Sequence, residues 1–263
     1  MNLSIIIPVY NSSLILPKLI KSIHKNTNKK KLKKEIILIN DSSKDDSWKT
    51  ILKLKKKYNF VKGINLKKNY GQHNAIISGL NFSKGNIVVL MDDDMQHHPK
   101  YIIKIYNELI NGNSDVCYVK YLKRKHLKWK IFVSWLNNII ASFLALKSIT
   151  IYTSSFKGIN KKIISKMIKY KKNEVFLDWL ILKQTNKISV INILHKKRFS
   201  GKTNYNLKKL LELWSIMIMN IEPKTIFHNL YLLLPKIFVK LFVYPFVKKN
   251  NINEQYKILN KTF

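Results

Sequence analysis

A run of five apolar residues, 87–91, ends in three consecutive aspartates, and this junction constrains the fold more than any other stretch. A continuous run of Ile, Val and Leu bounded by turn-forming residues is typical of a strand buried on both faces. In open α/β sheets, functional residues collect where such strands end at their carboxyl side. The junction therefore predicts a buried strand with a functional site at its end.

The acidic residues after this strand suit a metal. If the backbone stays extended, alternate side chains share a side, so Asp92, Asp94 and Gln96 face one way and Asp93 the other. Two carboxylates and an amide oxygen are suitable ligands for Mg²⁺ or Mn²⁺, which usually also binds substrate phosphates. The alternative is an acidic loop in which one aspartate caps the helix that Pro99 begins.

Short apolar runs alternate with helical segments over the first 120 residues. The predicted strands are 3–9, 35–39, 61–66, 87–91 and 115–119, and the predicted helices are 14–24, 45–58, 71–82 and 101–110. This alternation predicts an α/β fold, with a Rossmann-like, mostly parallel sheet flanked by helices. The chain lacks a G-x-G-x-x-G motif, which argues against a dinucleotide-binding fold of the usual kind.

The second half of the chain has a different character. We predict helices at 156–170, 174–185 and 207–220 and a strand at 188–194. Residues 131–146 are uncharged with a polar stripe, which suits either a helix lying in a membrane interface or an ordinary core-facing helix. Beyond residue 221 no stretch reaches the ~18 uncharged residues of a membrane span. We predict short amphipathic helices on the membrane surface there, with a shallow hairpin as the alternative.

The charge balance indicates an anionic partner. The chain has 49 Lys+Arg against 14 Asp+Glu, a formal charge of +35, which suits phosphates, nucleic acid or an acidic membrane face. The lysines are spread over every segment, which argues against a nucleic-acid-binding module. Only Arg124 and Arg198 are arginines, so these two positions are candidates for bidentate phosphate contacts.

Cys117 is the single cysteine, and the first residues lack a signal-peptide pattern. We therefore expect the chain on the cytoplasmic side.

Five sequence blocks occur in a fixed order: SIIIPVYN at 4–11, EIILINDSSKDDS at 35–47, NYGQHNAIISGL at 69–80, VVLMDDDMQHHP at 88–99 and RFSGKTNY at 198–205. Together they resemble glycosyltransferase family 2, which has the GT-A fold. The branch they resemble most transfers sugars to dolichol or undecaprenyl phosphate. The resemblance covers roughly residues 3–210. It implies a GT-A domain at 1–205, with a nucleotide-sugar half at 1–120 and an acceptor half at 121–205, and a helical, membrane-associating tail at 206–263.

The resemblance assigns roles to individual residues. Asp92 and Asp94 become the ligands of a DxD motif, and Gln96 is the extension typical of lipid-phosphate transferases. Asp41 occupies the position that reads the nucleotide base, although Asn40 replaces the aspartate usually found before it. Further residues follow from the same blocks: Pro8, Tyr10 and Asn11 line the nucleotide pocket, Arg198 contacts phosphate, and Gly201, Thr203 and Tyr205 form the adjoining loop. By their charge, Lys202 and Arg124 are candidates to complete a cationic clamp beside Arg198. His97 and His98 are expected at the rim of the site, in a loop.

The acceptor is assigned less directly. Asp178 lies where many members carry a catalytic base, and the alternative is an aspartate on the surface of a helix. Residues 154–157, Ser-Ser-Phe-Lys, replace a segment in which lipid-phosphate members often carry an aspartate. The resemblance implies an inverting, metal-dependent transfer from a UDP- or GDP-sugar, with Asp94, Asp178 and Arg198 as catalytic residues. The expected acceptor is a polyprenyl phosphate at the cytoplasmic membrane face. The alternative is the hydroxyl of a glycan, such as a lipid-linked one, in the assembly of O-antigen or capsule polysaccharide.

Overall fold

The computed structural model describes residues 1–28, 32–122, 153–171, 175–194, 215, 218–219, 226–243 and 255–263. Within these residues the chain alternates between strands and helices as far as β5. The elements are β1 Leu3–Val9, α1 Leu16–Asn28, β2 Lys34–Asn40, α2 Ser47–Lys57, β3 Val61–Leu66, α3 Gln72–Leu80, β4 Ile87–Leu90, α4 Tyr101–Asn111, β5 Val116–Leu122, β6 Lys157–Asn160, α5 Lys161–Met167, α6 Leu177–Gln184, β7 Ile188–Leu194, α7 Ile226–Phe238 and β8 Ile258–Lys261.

The eight strands of the described residues form one mixed sheet in the order β7-β5-β6-β4-β1-β2-β3-β8. The pairs β1–β2, β1–β4, β2–β3 and β5–β7 are parallel. Strand β6 runs antiparallel between β4 and β5, and β8 runs antiparallel along β3. The α/β prediction is therefore confirmed. The carboxyl ends of β1 to β4 meet at one edge of the sheet, and β6 begins at that edge.

Both faces of the sheet are covered, which explains why the central strands are continuously apolar. In β1, Ile5 and Ile7 pack into a cluster formed with α1, α2 and α4, whereas Ile6 packs into a second cluster formed with α3, α5 and α6. All three side chains are fully buried. Such a strand gains hydrophobic stabilisation on both sides.

The prediction of one helix over 156–170 is wrong at its beginning. Residues Lys157–Asn160 form β6, and only Lys161–Met167 are helical. A Cβ on Gly158 would lie 2.3 Å from Cγ2 of Ile105, so glycine lets α4 pack directly on this strand. The hydrogen-bonding partners of β6 come from β4 and β5, and local apolar spacing does not reveal such distant pairs.

The C-terminal part differs from the predicted helical tail. Helix α7 continues into a π-helical segment, Val239–Val243, but Ile258–Lys261 forms a strand at the edge of the sheet. No helix among the described residues has the length and apolar character needed to cross a membrane. The predicted helix at 131–146 and most of that at 207–220 lie outside the described residues. The domain boundary at 205 stays a prediction.

Candidate active site

The loops after β1 and β2 are joined to each other at the carboxyl edge of the sheet. The side-chain oxygen of Asn11 accepts the N–H of Lys44 at 2.8 Å, and the carboxylate of Asp45 accepts the N–H of Ser13 at 3.0 Å. Asn11 adopts a positive φ of 54°, a conformation that asparagine tolerates. The predicted pocket residues Tyr10 and Asn11 are exposed here, and Pro8 is half-buried in β1. They are thus close to the loop that carries Asp41.

Asp41 is buried and holds the beginning of α3. Its two carboxylate oxygens accept the N–H groups of Tyr70 at 2.8 Å and Gly71 at 2.9 Å. Burial raises the pKa of Asp41 from 3.8 to about 6, although both hydrogen bonds favour the charged form. Gly71 has a φ of +85°, which glycine adopts without steric cost. Asp41 therefore fixes the loop between β3 and α3, and its contact with a base stays a prediction.

Asn40, the residue that departs from the family pattern, connects two strands. Its amide group donates a 2.7 Å hydrogen bond to Oδ1 of Asn65 in β3, and its oxygen accepts the N–H of Ser43 at 3.3 Å. Both asparagines are buried. The neutral pair satisfies its own polar groups at a position where a buried carboxylate would need a positive partner.

The three aspartates after β4 do not follow an extended backbone. Strand β4 ends at Leu90, and Met95 adopts a φ of 58°, so the expectation of simple alternation through Gln96 is wrong. Asp93 turns towards the β1 loop, where it accepts the hydroxyl of Ser12 at 2.6 Å and the N–H of Tyr10 at 3.2 Å. Burial raises the pKa of Asp93 to about 6. Asp93 thus joins two loops of the site.

Asp92 turns towards a different set of neighbours. Its Oδ1 accepts the amide of Gln72 at the start of α3 at 2.8 Å, and its Oδ2 accepts the hydroxyl of Ser155 at 2.7 Å. Oδ1 of Asp94 accepts the N–H of Gln96 at 3.0 Å. The carboxylate of Asp92 is therefore oriented from both sides, by Gln72 of α3 and by Ser155 of the segment before β6.

The expectation that His97 lies at the rim is wrong. His97 is buried, its ring stacks on Phe156 with centroids 4.9 Å apart, and its Nδ1 accepts the N–H of Asp92 at 3.3 Å. His97 therefore packs between Phe156 and the backbone of the acidic loop. His98 is half-buried, and its Nδ1 accepts the N–H of Lys100 at 3.1 Å.

The predicted ligands fit a hard divalent cation by their chemistry. Asp92, Asp94 and Gln96 offer oxygen atoms, and Gln72 and Ser155 orient Asp92 as outer-shell partners of metal ligands do. No cluster of three or more His, Cys, Asp or Glu side chains suited to a metal occurs in the part of the chain that the structure describes. The predicted set has two carboxylates and the amide oxygen of Gln96, so it is not a cluster of that kind. Asp92, Asp94 and Gln96 stay the candidate ligands.

A buried charge cluster lies behind this loop. Lys157, the first residue of β6, is 2% exposed and forms an ion pair with Oδ1 of Asp178 in α6. The hydroxyl of Tyr118 in β5 donates to the same oxygen at 2.8 Å, and burial raises the pKa of Tyr118 well above its usual range. Asp178 is mostly buried, so the alternative of a surface aspartate is wrong.

His73 lies beside this cluster. Its Nδ1 accepts the N–H of Leu177, at the beginning of α6, at 3.4 Å. Burial lowers the pKa of His73 to about 4, although nearby Asp178 acts in the opposite direction. His73 is therefore neutral near pH 7 and serves as an acceptor that joins α3 to α6.

Tyr118, Lys157 and His73 were not predicted from the sequence as members of the site. The segment 154–157 stood out only as a departure from the family pattern. Lys157 resembles the nearby Lys161 and Lys162 in the sequence, so nothing there indicated that it is buried. Arg124, Arg198, Gly201, Lys202, Thr203 and Tyr205 lie outside the described residues, and their roles stay predictions.

Residues 4–168 match the family model described as Glycosyl transferase family 2. A curated relative named undecaprenyl-phosphate 4-deoxy-4-formamido-L-arabinose transferase, from Pectobacterium atrosepticum, is 29% identical over 213 residues, or 81% of this chain and 65% of the relative. The uncharacterized glycosyltransferase YkcC of Bacillus subtilis is 27% identical over 214 residues, or 80% of this chain and 65% of the relative. The chain thus spans about 65% of the length of these relatives.

Solved structures show the same fold. TarS 1–349 of Staphylococcus aureus, in complex with UDP-GlcNAc, has a TM-score of 0.59 and 19% identity over 92% of this chain and 73% of that chain. Glucosyl-3-phosphoglycerate synthase of Mycobacterium tuberculosis, in complex with Mn²⁺ and UDP-glucose, has a TM-score of 0.58 and 14% identity over 81% of this chain and 74% of that chain. At these identities the likeness concerns the fold alone.

Proposed function

Since the chain belongs to glycosyltransferase family 2, we propose that this glycosyltransferase moves a sugar from a UDP- or GDP-sugar to the phosphate of a polyprenyl phosphate. The proposed transfer inverts the anomeric carbon and takes place at the cytoplasmic face of the membrane. The relative named as an undecaprenyl-phosphate transferase supports a polyprenyl phosphate as acceptor. The complexes of the structural neighbours with UDP-GlcNAc and UDP-glucose support a nucleotide sugar as donor.

The proposed donor pocket lies between the loops after β1, β2 and β3. Pro8, Tyr10 and Asn11 line one side, and Asp41 reads the base. The hydrogen bonds among Asn11, Lys44 and Asp45 hold two of these loops together before a ligand arrives. Such preorganisation reduces the ordering cost of binding.

The leaving diphosphate requires stabilisation of negative charge. When bound, a divalent ion on Asp92, Asp94 and Gln96 would supply that stabilisation. The chain's own part is to orient Asp92 through Gln72 and Ser155 and to contribute the cations Arg198, Lys202 and Arg124. Positive groups placed where charge develops are a large source of rate enhancement.

The choice of acceptor rests on the contacts of the Asp178 carboxylate. Its Oδ1 takes both the Lys157 ammonium and the Tyr118 hydroxyl. A general base must reach the proton that it removes, and these two contacts direct this oxygen at Lys157 and Tyr118 instead. A phosphate acceptor already arrives ionised and needs positioning rather than proton removal. The arrangement therefore supports polyprenyl phosphate over a glycan hydroxyl.

The second candidate keeps the same donor and uses a glycan hydroxyl in the assembly of surface polysaccharide. The place of Asp178 in α6, where many family members carry a base, favours it. Under this alternative Asp178→Asn would abolish transfer. Under the main proposal Arg198→Lys is the more damaging change, with a loss of roughly 1.5–3 kcal/mol in transition-state stabilisation.

Peripheral attachment to an anionic membrane is supported by residues 232–243. Leu232 and Val239 are buried against the protein, whereas the opposite side of the helix is apolar and exposed. The exposed residues are Leu233, Leu234, Ile237, Phe238, Leu241 and Phe242. Lys236 and Lys240 lie on the same segment, as expected of a helix that lies on anionic lipid.

The proposal is tested by incubating membranes that contain the protein with labelled UDP- and GDP-sugars, followed by organic extraction. We expect label in the organic phase, in an amount that rises with added polyprenyl phosphate. Label confined to water-soluble glycan would favour the second candidate. The absence of transfer from every donor would contradict both.

A further inference from the structure

The last nine residues, 255–263, return to the donor half of the fold, and we infer that strand β8 is a positioning element for Asp41. This inference rests on the proposed function, in which Asp41 belongs to the donor pocket. Strand β8 pairs antiparallel with β3, with Asn260 opposite Asn65 and Lys261 opposite Ile64. In the sheet order β3 lies between β2 and β8, so β8 covers the edge that β3 would otherwise expose.

Hydrogen bonds join β8 to β3 at both ends of the pair. At one end Gly63 and Thr262 exchange two hydrogen bonds, from the Thr262 N–H to the Gly63 carbonyl at 3.0 Å and from the Gly63 N–H to the Thr262 hydroxyl at 2.9 Å. At the other end the N–H of Lys67 donates to the carbonyl of Lys257 at 2.9 Å. Lys67 lies just after β3, on the loop that leads to α3. The C-terminal segment thus holds the chain from Gly63 in β3 to Lys67 just beyond it.

Side chains add to this attachment. Tyr256 and Ile258 pack against the apolar cluster that includes α3, and the amide of Gln255 donates to the carbonyl of Tyr170 at 3.1 Å. The ring of Phe263 contacts that of Phe82 edge-on, with centroids 5.4 Å apart. These contacts join the segment to both halves of the domain.

Two paths lead from β8 to Asp41. The first runs through Asn65, which pairs with Asn260 on one side and receives the amide of Asn40 at 2.7 Å on the other. Asn40 immediately precedes Asp41. The second runs through Lys67 to Tyr70 and Gly71, whose N–H groups bind the Asp41 carboxylate. Loss of β8 would loosen both the strand beside Asp41 and the loop that holds its oxygens.

A matched pair of proline variants tests this inference. The N–H of Thr262 faces β3, and backbone donors alternate along a strand, so the N–H of Asn260 also faces β3 while that of Lys261 points away. Asn260→Pro removes a donor from the ladder, whereas Lys261→Pro is the kind of change that an edge strand tolerates. Deletion of residues 256–263 provides a third variant.

We expect Asn260→Pro and the deletion to speed hydrogen exchange at Tyr70 and Gly71 and to weaken binding of UDP or GDP. An effect of about tenfold is the equivalent of one lost hydrogen bond. Lys261→Pro should change the affinity for the nucleotide by less than about twofold, which is well below the effect of one lost hydrogen bond. In the Asp41→Asn background Asn260→Pro should weaken nucleotide binding much less, because coupled residues are not additive.

Unchanged exchange at Tyr70 and Gly71 in both disruptive variants would overturn the inference, as would a full binding effect in the Asp41→Asn background. If Asn260→Pro does not fold, Thr262→Val serves in its place, with Thr262→Ser as the variant that keeps the hydroxyl and should rescue. Failure of the unmodified protein to bind either nucleotide counts against the proposed function alone. The exchange measurement still decides whether β8 acts on the loop.

Discussion

The hydroxyl of Ser155 donates a 2.7 Å hydrogen bond to Oδ2 of Asp92, which joins the segment before β6 to the first aspartate after β4. Gln72 holds the other oxygen of the same carboxylate from α3. Asp92 is therefore the point at which the start of α3 and the segment before β6 meet. The segment that departs from the family pattern, 154–157, has a defined role in orienting it.

Ser155→Ala should lower transfer about tenfold, the usual scale for loss of an outer-shell partner of a metal ligand. The apparent affinity for Mg²⁺ or Mn²⁺ should fall with it, as titration of initial rates with the metal will show. Ser165→Ala is the matched control, because Ser165 is exposed and its hydroxyl donates within its own helix, to the carbonyl of Lys161 at 3.0 Å. Equal rates for the two variants would contradict this role for Ser155.

Transfer should require a divalent cation. Chelation should stop it, and Mn²⁺ or Mg²⁺ should restore it, because the diphosphate leaving group needs positive charge beside it. Asp94→Asn should remove most of the activity while the circular dichroism spectrum stays native. Glu108→Gln, in α4 and away from the site, is a suitable control. Full activity in excess chelator is the result that would exclude the metal.

Asp178→Asn should destabilise the protein more than it slows transfer to lipid phosphate. It leaves the Lys157 ammonium buried without its carboxylate, which typically costs about 3–5 kcal/mol. The double variant Lys157→Met/Asp178→Asn removes the stranded charge and should recover part of the loss in urea unfolding. Abolished transfer in a folded Asp178→Asn protein would instead indicate a catalytic base.

Charge placed on the exposed apolar side of residues 232–243 should release the protein from membranes. We expect Leu234→Glu/Phe238→Glu to reduce sedimentation with anionic vesicles strongly, since both side chains are more than half exposed there. Leu259→Glu places one such charge on a leucine of β8 that is also more than half exposed, and this variant should bind as before. Equal binding of all three proteins would place the membrane contact elsewhere.

Asp41 should contribute a decrease in stability as pH rises from about 4 to about 6, beside a similar contribution from Asp93 and an opposite one from His73. Burial raises the pKa of Asp41 from 3.8 to about 6, so in this window its carboxyl binds more protons in the folded chain than in the unfolded chain. The free energy of unfolding then decreases with pH, by at most about 3 kcal/mol from this group. Asp41→Asn should flatten that slope in urea unfolding measured across the window. An unchanged slope would show that the carboxyl does not titrate there.

The pattern of apolar runs determined most of the sheet. The bounds predicted for β1, β3 and β7 are those of the structure. Strand β1 is buried on both faces and is therefore almost continuously apolar, whereas the edge strand β7 keeps exposed residues such as Val190. The polar residues that follow β1, β2 and β4 lie at one edge, since parallel strands end together. The family, the α/β fold and the position of the acidic loop could thus be predicted from the sequence.

Only the tertiary structure decided which polar groups meet. Strands β6 and β8 are four residues long, and their stability comes from partners far away in the chain, so local patterns did not reveal them. The same long-range packing buries Lys157, turns Asp178 towards it and places His97 beneath the acidic loop. A buried charge is tolerated only beside its partner, and that partner is chosen by the fold rather than by neighbouring residues in the sequence.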